Sequence, residues 1–213
     1  MKTIMEQTKA TAVIRIVDDD EAVRESYKFL IESEGWLVRT YANAEEFLEK
    51  DDPSVCGCGV FDIRMPGLSG MELQQKMIEL SNALPIIFVS AHGDIEMAVK
   101  AIQRGACDFL PKPVLDEKLL DAITKAVELS IRNKEENEQN SQIRRTWNAL
   151  SPREKEVAVL VSEGLLNKII ADRLQISERT VHIHRANAAQ KLGVKNAVGF
   201  SQVVEKVKAM GLG

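Results

Sequence analysis

The sequence is poor in cysteine and has no long apolar run, and each shortage excludes a class of protein. Its three cysteines, Cys56, Cys58 and Cys107, have no cluster of further Cys and His that would supply the four ligands of a structural zinc site. The first dozen residues lack the apolar stretch of a signal peptide, and no apolar run is long enough to span a bilayer. We therefore expect a cytoplasmic protein with free thiols and no membrane partner.

Aromatic residues are also scarce, at 5% of a chain in which 45% of residues are hydrophobic. Aliphatic side chains must therefore fill the interior. Because domains cluster at roughly 100 to 150 residues, a chain of 213 residues suits two of them. We expect a two-domain protein with an aliphatic core in each domain.

Charge is distributed unevenly along the chain. Residues 1–130 contain 14 Lys and Arg against 23 Asp and Glu, whereas residues 151–213 contain 10 against 6. An acidic domain joined to a basic one is typical of proteins that bind DNA. A basic surface can equally be an ordinary solvated face, so charge alone leaves both interpretations open.

Short apolar runs alternate with helical patterns in the first 130 residues. Asn43 followed by Glu46 indicates a capped helix start, and the next helix has an apolar stripe of Leu73, Met77 and Leu80. Repeated strand–helix units predict a parallel sheet with helices on both faces, an α/β fold. The five predicted strands are Val13–Val17, Leu37–Tyr41, Val60–Phe61, Ile86–Val89 and Phe109–Leu110.

After Val127 the apolar stripe fades into NKEENEQNSQ, which contains no Pro or Gly and favours helix. Ile143, Trp147 and Leu150 then restore an apolar side at spacings of four and three. We divide the chain into an N-terminal tail, an α/β domain, a helical linker and an all-α domain, over residues 1–12, 13–130, 131–150 and 151–213.

Residues 151–208 carry only helical signals. Ser151, Pro152 and Glu154 form a helix start with a cap, a first-turn proline and a capping-box partner. A short helix, a tight turn and a longer helix follow, which is the helix-turn-helix pattern. The predicted helices run from Ser151 to Gly164, 167–174, 177–192 with Gly193 as its stop, and 196–208.

Polar residues end four of the predicted strands. Asp18 and Asp19 follow the first, Asp62 ends the third, Ser90 ends the fourth and Lys112 follows the fifth. The carboxyl ends of parallel strands share one edge of the sheet, where ligands bind. Acidic residues after a strand are often only helix caps. Three carboxylates in one place, however, repel each other unless a cation neutralises them, and oxygen ligands favour Mg²⁺ or Mn²⁺.

The segments IVDDD, FDIRMPGLSG, VSAHGD and GACDFLPKP resemble the successive signatures of receiver domains, over residues 13 to about 128. The resemblance implies a flavodoxin-like five-stranded parallel sheet with Asp62 as phosphoacceptor. It implies that Mg²⁺ is bound by Asp18 through water, by Asp19 and Asp62 directly, and by the carbonyl of Arg64. It further implies that Ser90 and Lys112 stabilise the phosphoryl group, that Phe109 is the switch residue and that the Lys112–Pro113 bond is cis.

The segment from Leu150 to Val194 is similar to the LuxR-type helix-turn-helix, so the chain is identified as a member of the FixJ/NarL-type response regulators. The resemblance implies that the helix at 177–192 enters the major groove of DNA. With about 100° per residue, its inward stripe is Val181, His184, Ala188 and Leu192, and its outward residues are Arg179, Ile183, Ala186 and Gln190.

These positions predict distinct contacts with DNA. Arg179, His182 and Asn187 can bond base edges, whereas Ile183 and Ala186 offer only methyl contacts, suited to thymine. His184 lies on the inward stripe and is expected to pack or to touch phosphate. The resemblance implies contacts with or near phosphate for Asn167, Lys168, Thr180, Arg185 and Lys191.

Together these features predict a transcriptional regulator, not an enzyme, that a sensor histidine kinase phosphorylates. We expect phosphorylation to promote a homodimer that binds double-stranded promoter DNA and acts on RNA polymerase. An aspartyl-nucleophile phosphatase is one alternative, but it needs a second Asp two residues after the nucleophile, where Arg64 stands. A binding module that is never phosphorylated is the other, and such modules usually lack one of the acidic or Lys positions.

Overall fold

The computed structural model describes residues 8–91 and 95–212. The chain divides into two compact units between Lys134 and Glu135. Among the described residues, no helix combines the length and the apolarity that a membrane span requires.

The first unit is built around a five-stranded parallel sheet of order β2-β1-β3-β4-β5. All five predicted strands are confirmed, and three of them are longer than predicted. β3 starts at Gly57 because the glycines around Cys58 interrupt the apolar pattern without interrupting the strand. The strands are β1 (Val13–Val17), β2 (Leu37–Tyr41), β3 (Gly57–Asp62), β4 (Ile86–Ser90) and β5 (Asp108–Pro111).

Helices connect successive strands, and side chains cap the starts of three of them. Asp20, Asn43 and Ser69 each accept backbone N–H groups of the following turn. Leu80 corrects one prediction, because the third helix ends one residue before it and leaves its side chain 68% exposed. The helices are α1 (Glu21–Ser33), α2 (Ala44–Lys50), α3 (Gly70–Glu79), α4 (Ile95–Gln103) and α5 (Asp116–Asn148).

Apolar side chains cover both faces of the sheet. Ile31 of α1 and Ile123 of α5 pack on one face, while Phe47 of α2, Leu73 of α3 and Ala101 of α4 pack on the other. Burying one large aliphatic or aromatic side chain stabilises the fold by roughly 1.5–3 kcal/mol. The two apolar layers, one of which also contains the aromatic side chains of Tyr41, Phe47, Phe61 and Phe88, therefore hold the strand ends in a fixed arrangement.

Arg15 is the one charged side chain that is fully buried within β1. Its Nε lies 2.9 Å from Oδ1 of Asp51, and its Nη atoms donate to backbone carbonyls of Val13, Asp52 and Val55. A buried guanidinium is tolerated only when its donors are paired. Arg15 therefore fixes the loop that leads into β3.

Part of the predicted N-terminal tail, residues 8–12, packs against the first unit. Residues 1–7 lie outside the described residues, but Thr8 to Ala12 form a turn, and Ala12 is buried in the core. Nζ of Lys9 donates to the carbonyl of Glu34 over 2.6 Å and lies 5.3 Å from the ring centroid of Trp36. Residues 8–12 therefore belong to the first unit.

Most of the predicted linker is helical, because α5 runs without interruption for 33 residues. The apolar stripe fades in its middle, but the residues there retain good helix propensity. The division between the two units falls inside this helix.

The second unit is all helical, as predicted. Trp147, Leu150, Val157, Val181 and Phe200 are among its buried side chains. The predicted capping box at Ser151 is present, and a left-handed residue, Gln175, makes the tight turn of the helix-turn-helix. The helices are α6 (Pro152–Ser162), α7 (Asn167–Leu174), α8 (Glu178–Leu192) and α9 (Ala197–Ala209).

Candidate functional site

Three predicted site residues meet at the carboxyl edge of the sheet. Asp18 directly follows β1, Asp62 ends β3 and Lys112 directly follows β5. Nζ of Lys112 lies 2.6 Å from Oδ2 of Asp18 and 2.8 Å from Oδ1 of Asp62. One ammonium therefore bridges two carboxylates that arrive from neighbouring strands.

Backbone groups orient both carboxylates. Oδ2 of Asp62 accepts the N–H of Arg64 over 2.6 Å, and Oδ1 of Asp18 accepts the N–H of Asp20 over 3.0 Å. Arg24, which sequence analysis missed, donates from Nη1 to the carbonyl of Asp18 over 2.7 Å. Hydrogen bonds of this kind fix the orientation of a carboxylate.

Gly70 allows α3 to approach the end of β3. A Cβ at this position would lie 2.2 Å from the carbonyl oxygen of Asp62, closer than any real contact permits. The N–H of Gly70 donates to the carbonyl of Ile63 over 3.0 Å. The absence of a side chain at Gly70 thus helps to set the position of Asp62.

Burial and the neighbouring charges shift the pKa values of Asp18 and Lys112 in opposite directions. Burial raises the pKa of Asp18 above its ordinary 3.8, although the hydrogen bond from Lys112 acts in the opposite direction. Burial alone would lower the pKa of Lys112, but its hydrogen bonds to Asp18 and Asp62 raise the pKa above 10.5. Lys112 is therefore a permanent cation at neutral pH.

The cluster borders a cavity of about 460 Å³. Asp19 is exposed at its rim, whereas Ser90 is buried. All six residues predicted to bind the metal or the phosphoryl group therefore share one pocket. Its lining consists of Asp18, Asp19, Asp20, Val23, Asp62, Arg64, Ser90, Ala91 and Lys112.

The donors in the pocket suit Mg²⁺ in kind. The carboxylate oxygens of Asp18, Asp19 and Asp62 are hard ligands, and Mg²⁺ is commonly bound by one or two carboxylates with water completing its shell. Within 8–91 and 95–212, no three His, Cys, Asp or Glu side chains are grouped closely enough to hold a metal ion by themselves. Lys112 lies between Asp18 and Asp62 instead.

Phe109 lies on β5, three residues before Lys112. Its side chain is half-buried and packs against the apolar layer that includes α3 and α4. The predicted cis bond between Lys112 and Pro113 is confirmed. His92, Gly93 and Asp94 of the VSAHGD segment lie outside the described residues.

The second unit presents the long helix of the helix-turn-helix with the predicted rotation. Val181 and Ala188 are fully buried, and His184 is partly buried between them. Arg179, His182, Ile183, Ala186, Asn187 and Gln190 are exposed. The inward and outward faces of α8 are thus confirmed, and the individual DNA contacts stay predictions.

Three of the predicted phosphate-contact residues on α8 are also engaged within the unit. Nη1 of Arg185 donates to Oδ1 of Asn167 over 2.9 Å, and the hydroxyls of Thr180 and Ser177 share a hydrogen bond. Nζ of Lys191 lies 2.7 Å from Oε2 of Glu154. Sequence analysis identified Glu154 only as a capping residue. It missed the ion pair because 37 positions separate the partners.

Comparisons with known proteins match both units. The family model for the response regulator receiver domain matches residues 14–124, and the model described as bacterial regulatory proteins, luxR family, matches residues 148–204. The response regulator protein TmoT of Ectopseudomonas mendocina is 44% identical over 197 residues, which cover 92% of this chain and 90% of that protein.

Two further relatives extend the comparison. The transcriptional regulatory protein FixJ of Azorhizobium caulinodans is 38% identical over 179 residues, covering 84% of this chain and 85% of that protein. The solved structure of response regulator StyR is 42% identical and superposes with a TM-score of 0.85, covering 92% of this chain and 99% of that one. The similarity therefore includes both units.

Proposed function

The chain belongs to the response regulators, in which a receiver domain is joined to a LuxR-family DNA-binding domain, and we propose that phosphorylation of Asp62 controls this two-component transcriptional regulator. One observation carries the proposal. The Asp62 carboxylate ends β3 beside a cationic side chain, with Lys112 at 2.8 Å, in an open pocket. A carboxylate held in this way can act as a nucleophile toward an anionic group.

The reaction is a phosphoryl transfer from a phosphohistidine of a sensor histidine kinase. An oxygen of Asp62 forms the bond to phosphorus while the phosphorus–nitrogen bond breaks, and the leaving imidazole keeps the electron pair and takes up a proton from solvent. Lys112 neutralises negative charge on the phosphoryl oxygens throughout. The N–H of Arg64 holds the second Asp62 oxygen and so fixes the direction of attack.

A divalent cation is part of this proposal. Asp18, Asp19, Asp62 and the carbonyl of Arg64 would hold Mg²⁺, because they supply oxygen donors around one pocket. When bound, Mg²⁺ supplies further positive charge to offset the repulsion between two anions.

Phosphorylation changes the receiver surface through Ser90 and Phe109. The acyl phosphate offers new acceptor oxygens, and the Ser90 hydroxyl moves to donate to them. That movement vacates space into which Phe109 turns. The backbone supports this coupling, because the N–H of Lys112 donates to the carbonyl of Ser90 over 2.8 Å.

The surface beside Phe109 then forms a twofold dimer. Ile95, Val99 and Ile102 follow each other on α4 at spacings of four and three, and they are 84%, 47% and 47% exposed. An exposed apolar stripe of this kind favours association. Asp94, which precedes α4 in the sequence, lies outside the described residues.

Two DNA-binding domains in one dimer engage two half-sites of promoter DNA, which raises affinity through effective concentration. Asn167, Lys168, Thr180 and Arg185 contact phosphates. Arg179, His182 and Asn187 contact base edges, and Ile183 and Ala186 contact thymine methyl groups. The bound dimer acts on RNA polymerase in the bacterial cytoplasm.

Radiolabel transfer from acetyl phosphate in the presence of Mg²⁺ tests the proposal. The wild type and an Asp121→Asn control, whose carboxylate is exposed on α5, should retain label, whereas Asp62→Asn should retain none. Label in Asp62→Asn would reject the assignment. Rapid turnover of added phosphoesters would instead support a phosphatase, and an unlabelled wild type would support a module that is never phosphorylated.

A further inference from the structure

Lys191 differs from the other cations that are predicted to touch DNA. Its Nζ lies 2.7 Å from Oε2 of Glu154, whose side chain is only 6% exposed. Lys168, by contrast, is exposed and makes no ion pair within the described part of the chain. Arg185 is tied to Asn167, a neutral partner that leaves its charge uncompensated. Lys191 is therefore the predicted contact whose charge is already paired.

Glu154 is a fixed partner because it also caps α6. The same Oε2 atom accepts the N–H of Ser151 over 2.7 Å, and Ser151 in turn accepts the N–H of Glu154. The hydrogen bond from Lys191 lowers the pKa of the Glu154 carboxyl below its ordinary 4.5. The carboxylate is thus ionised at neutral pH and held at the start of α6.

The ion pair joins α6 to the last turn of α8. The inward face of α8 consists there of the small Ala188 and Ala189 and the larger Leu192, and the ion pair adds a polar contact to this apolar packing. Moving the Lys191 ammonium to a DNA phosphate would leave the Glu154 carboxylate buried without its cation. Such an uncompensated charge is strongly unfavourable.

We propose that Lys191 is a positioning residue, which holds the C-terminal half of the recognition helix against α6 through Glu154 and makes no contact with DNA. The inference rests on the proposed function, in which α8 enters the major groove. It divides the cations of the DNA-binding domain into two groups. Lys168 binds phosphate, and Lys191 sets the orientation in which base-reading side chains approach their partners.

The two roles predict different salt dependence. Affinity for DNA falls as salt rises, so the slope of log affinity against log salt is negative. Loss of a phosphate contact reduces the magnitude of this slope by about one unit and weakens binding to all sequences alike. Loss of a positioning contact leaves the slope unchanged and reduces the preference for the specific site, because base contacts depend on geometry. The two effects are measured in the same set of isotherms.

The experiment measures binding of the full chain at several salt concentrations to two DNA fragments. One carries a site selected from random sequence by the wild type, and the other is a random sequence. For Lys191→Met we expect an unchanged slope and a roughly tenfold lower ratio of the two affinities. Lys191→Arg should restore most of that ratio. In the matched control, Lys168→Met, the magnitude of the slope should fall by about one with the ratio unchanged.

The two roles predict opposite changes in DNA affinity for Glu154→Gln. Its amide oxygen still accepts the N–H of Ser151, but the charge that holds Lys191 is gone. We expect the same loss of preference as in Lys191→Met, with no additional loss in the double variant. If Lys191 were a phosphate contact restrained by Glu154, Glu154→Gln would strengthen binding to both fragments and raise the magnitude of the slope by about one.

The inference about Lys191 would be wrong if Lys191→Met had a slope of smaller magnitude than the wild type, or if Glu154→Gln had one of larger magnitude. Either result would leave the proposed function intact. A wild type that enriches no sequence from the random DNA would overturn the proposed function as well. Circular dichroism of each variant at the assay temperature establishes that it is folded. If Lys191→Met does not fold, the sign of the Glu154→Gln effect decides between the two roles.

Discussion

The ammonium of Lys112 lies 2.8 Å from Oδ1 of Asp62, and this contact links the chemistry of the pocket to the surface of the receiver domain. Lys112 follows β5 directly, and Phe109 stands three residues before it on the same strand. Any change in charge at Asp62 therefore acts on a side chain whose backbone is continuous with the proposed switch residue. The segment from Phe109 to Lys112 thus connects the contact with Asp62 to the proposed switch residue.

Magnesium binding should depend on Asp19. This carboxylate is exposed at the rim of the pocket, so its removal takes away a proposed metal ligand without disturbing the buried contacts of Asp18 and Asp62. We expect Asp19→Asn to weaken Mg²⁺ binding at least tenfold, about 1.4 kcal/mol, in calorimetric titrations. The Asp121→Asn control should bind as the wild type does. Equal affinities for all three proteins would exclude Asp19 from the metal site.

Dimerisation should depend on the exposed stripe of α4. We expect Ile95→Asp to accept label from acetyl phosphate and yet remain a monomer, because a charge at this position opposes burial in an apolar interface. Ile78→Asp is the matched control, since Ile78 on α3 is 51% exposed but lies outside the stripe. Sedimentation velocity provides the masses. The dimer proposal fails if the fully phosphorylated wild type keeps the mass of a monomer.

Much of the architecture could be predicted because the residues that determine it act locally. Asn43 and Ser151 cap the helices that follow them, and the strands are found where apolar runs indicate. Leu80 was placed wrongly because a periodic pattern does not reveal where a helix ends. Arg15 stood inside an apparently apolar strand, and its burial is explained by distant partners, which are the Asp51 carboxylate and the carbonyls of Asp52 and Val55.

Among the site residues, too, some contacts could be predicted from local sequence and others could not. The strand ends place Asp18, Asp62 and Lys112 at one edge, so their proximity could be expected from the order of elements alone. The pairing of Glu154 with Lys191 could not, because it depends on how two helices cross. Contacts between elements that are far apart in sequence are set by packing, which a single sequence does not encode in any local pattern.

Stability of the DNA-binding domain should depend on pH through Glu154. Because the folded state lowers the pKa of this carboxyl below 4.5, its stabilising effect is complete above that pH and is lost as pH falls through the lower, folded pKa. We expect Glu154→Gln to reduce the free energy of unfolding by roughly 1–3 kcal/mol at pH 7, between the values for exposed and buried pairs. The difference from the wild type should shrink below about pH 4.5.

Urea unfolding monitored by Trp147 fluorescence measures this difference. A Trp36→Phe background leaves Trp147 as the only tryptophan, since the chain has two. Glu156→Gln is the matched control, because Glu156 pairs with Arg153 at 2.6 Å while both side chains are well exposed. Its effect should stay below about 1 kcal/mol. A Glu154→Gln effect that is equally large at pH 7 and pH 4 would contradict the ionic origin of the stabilisation.

The rotation of α8 predicts opposite effects for the substitution of two histidines that lie two residues apart. His182 is exposed on α8, so His182→Ala should cost roughly 1–3 kcal/mol at particular base pairs and relax the preference there, as should Asn187→Ala. His184 is partly buried between Val181 and Ala188, so His184→Ala should chiefly lower the melting temperature and leave base preference intact. Binding isotherms on a set of single-base variants of the selected site, together with thermal melts, test both claims. A helix that enters the groove through another face would give the reverse result: His184→Ala would change base preference, while His182→Ala and Asn187→Ala would not.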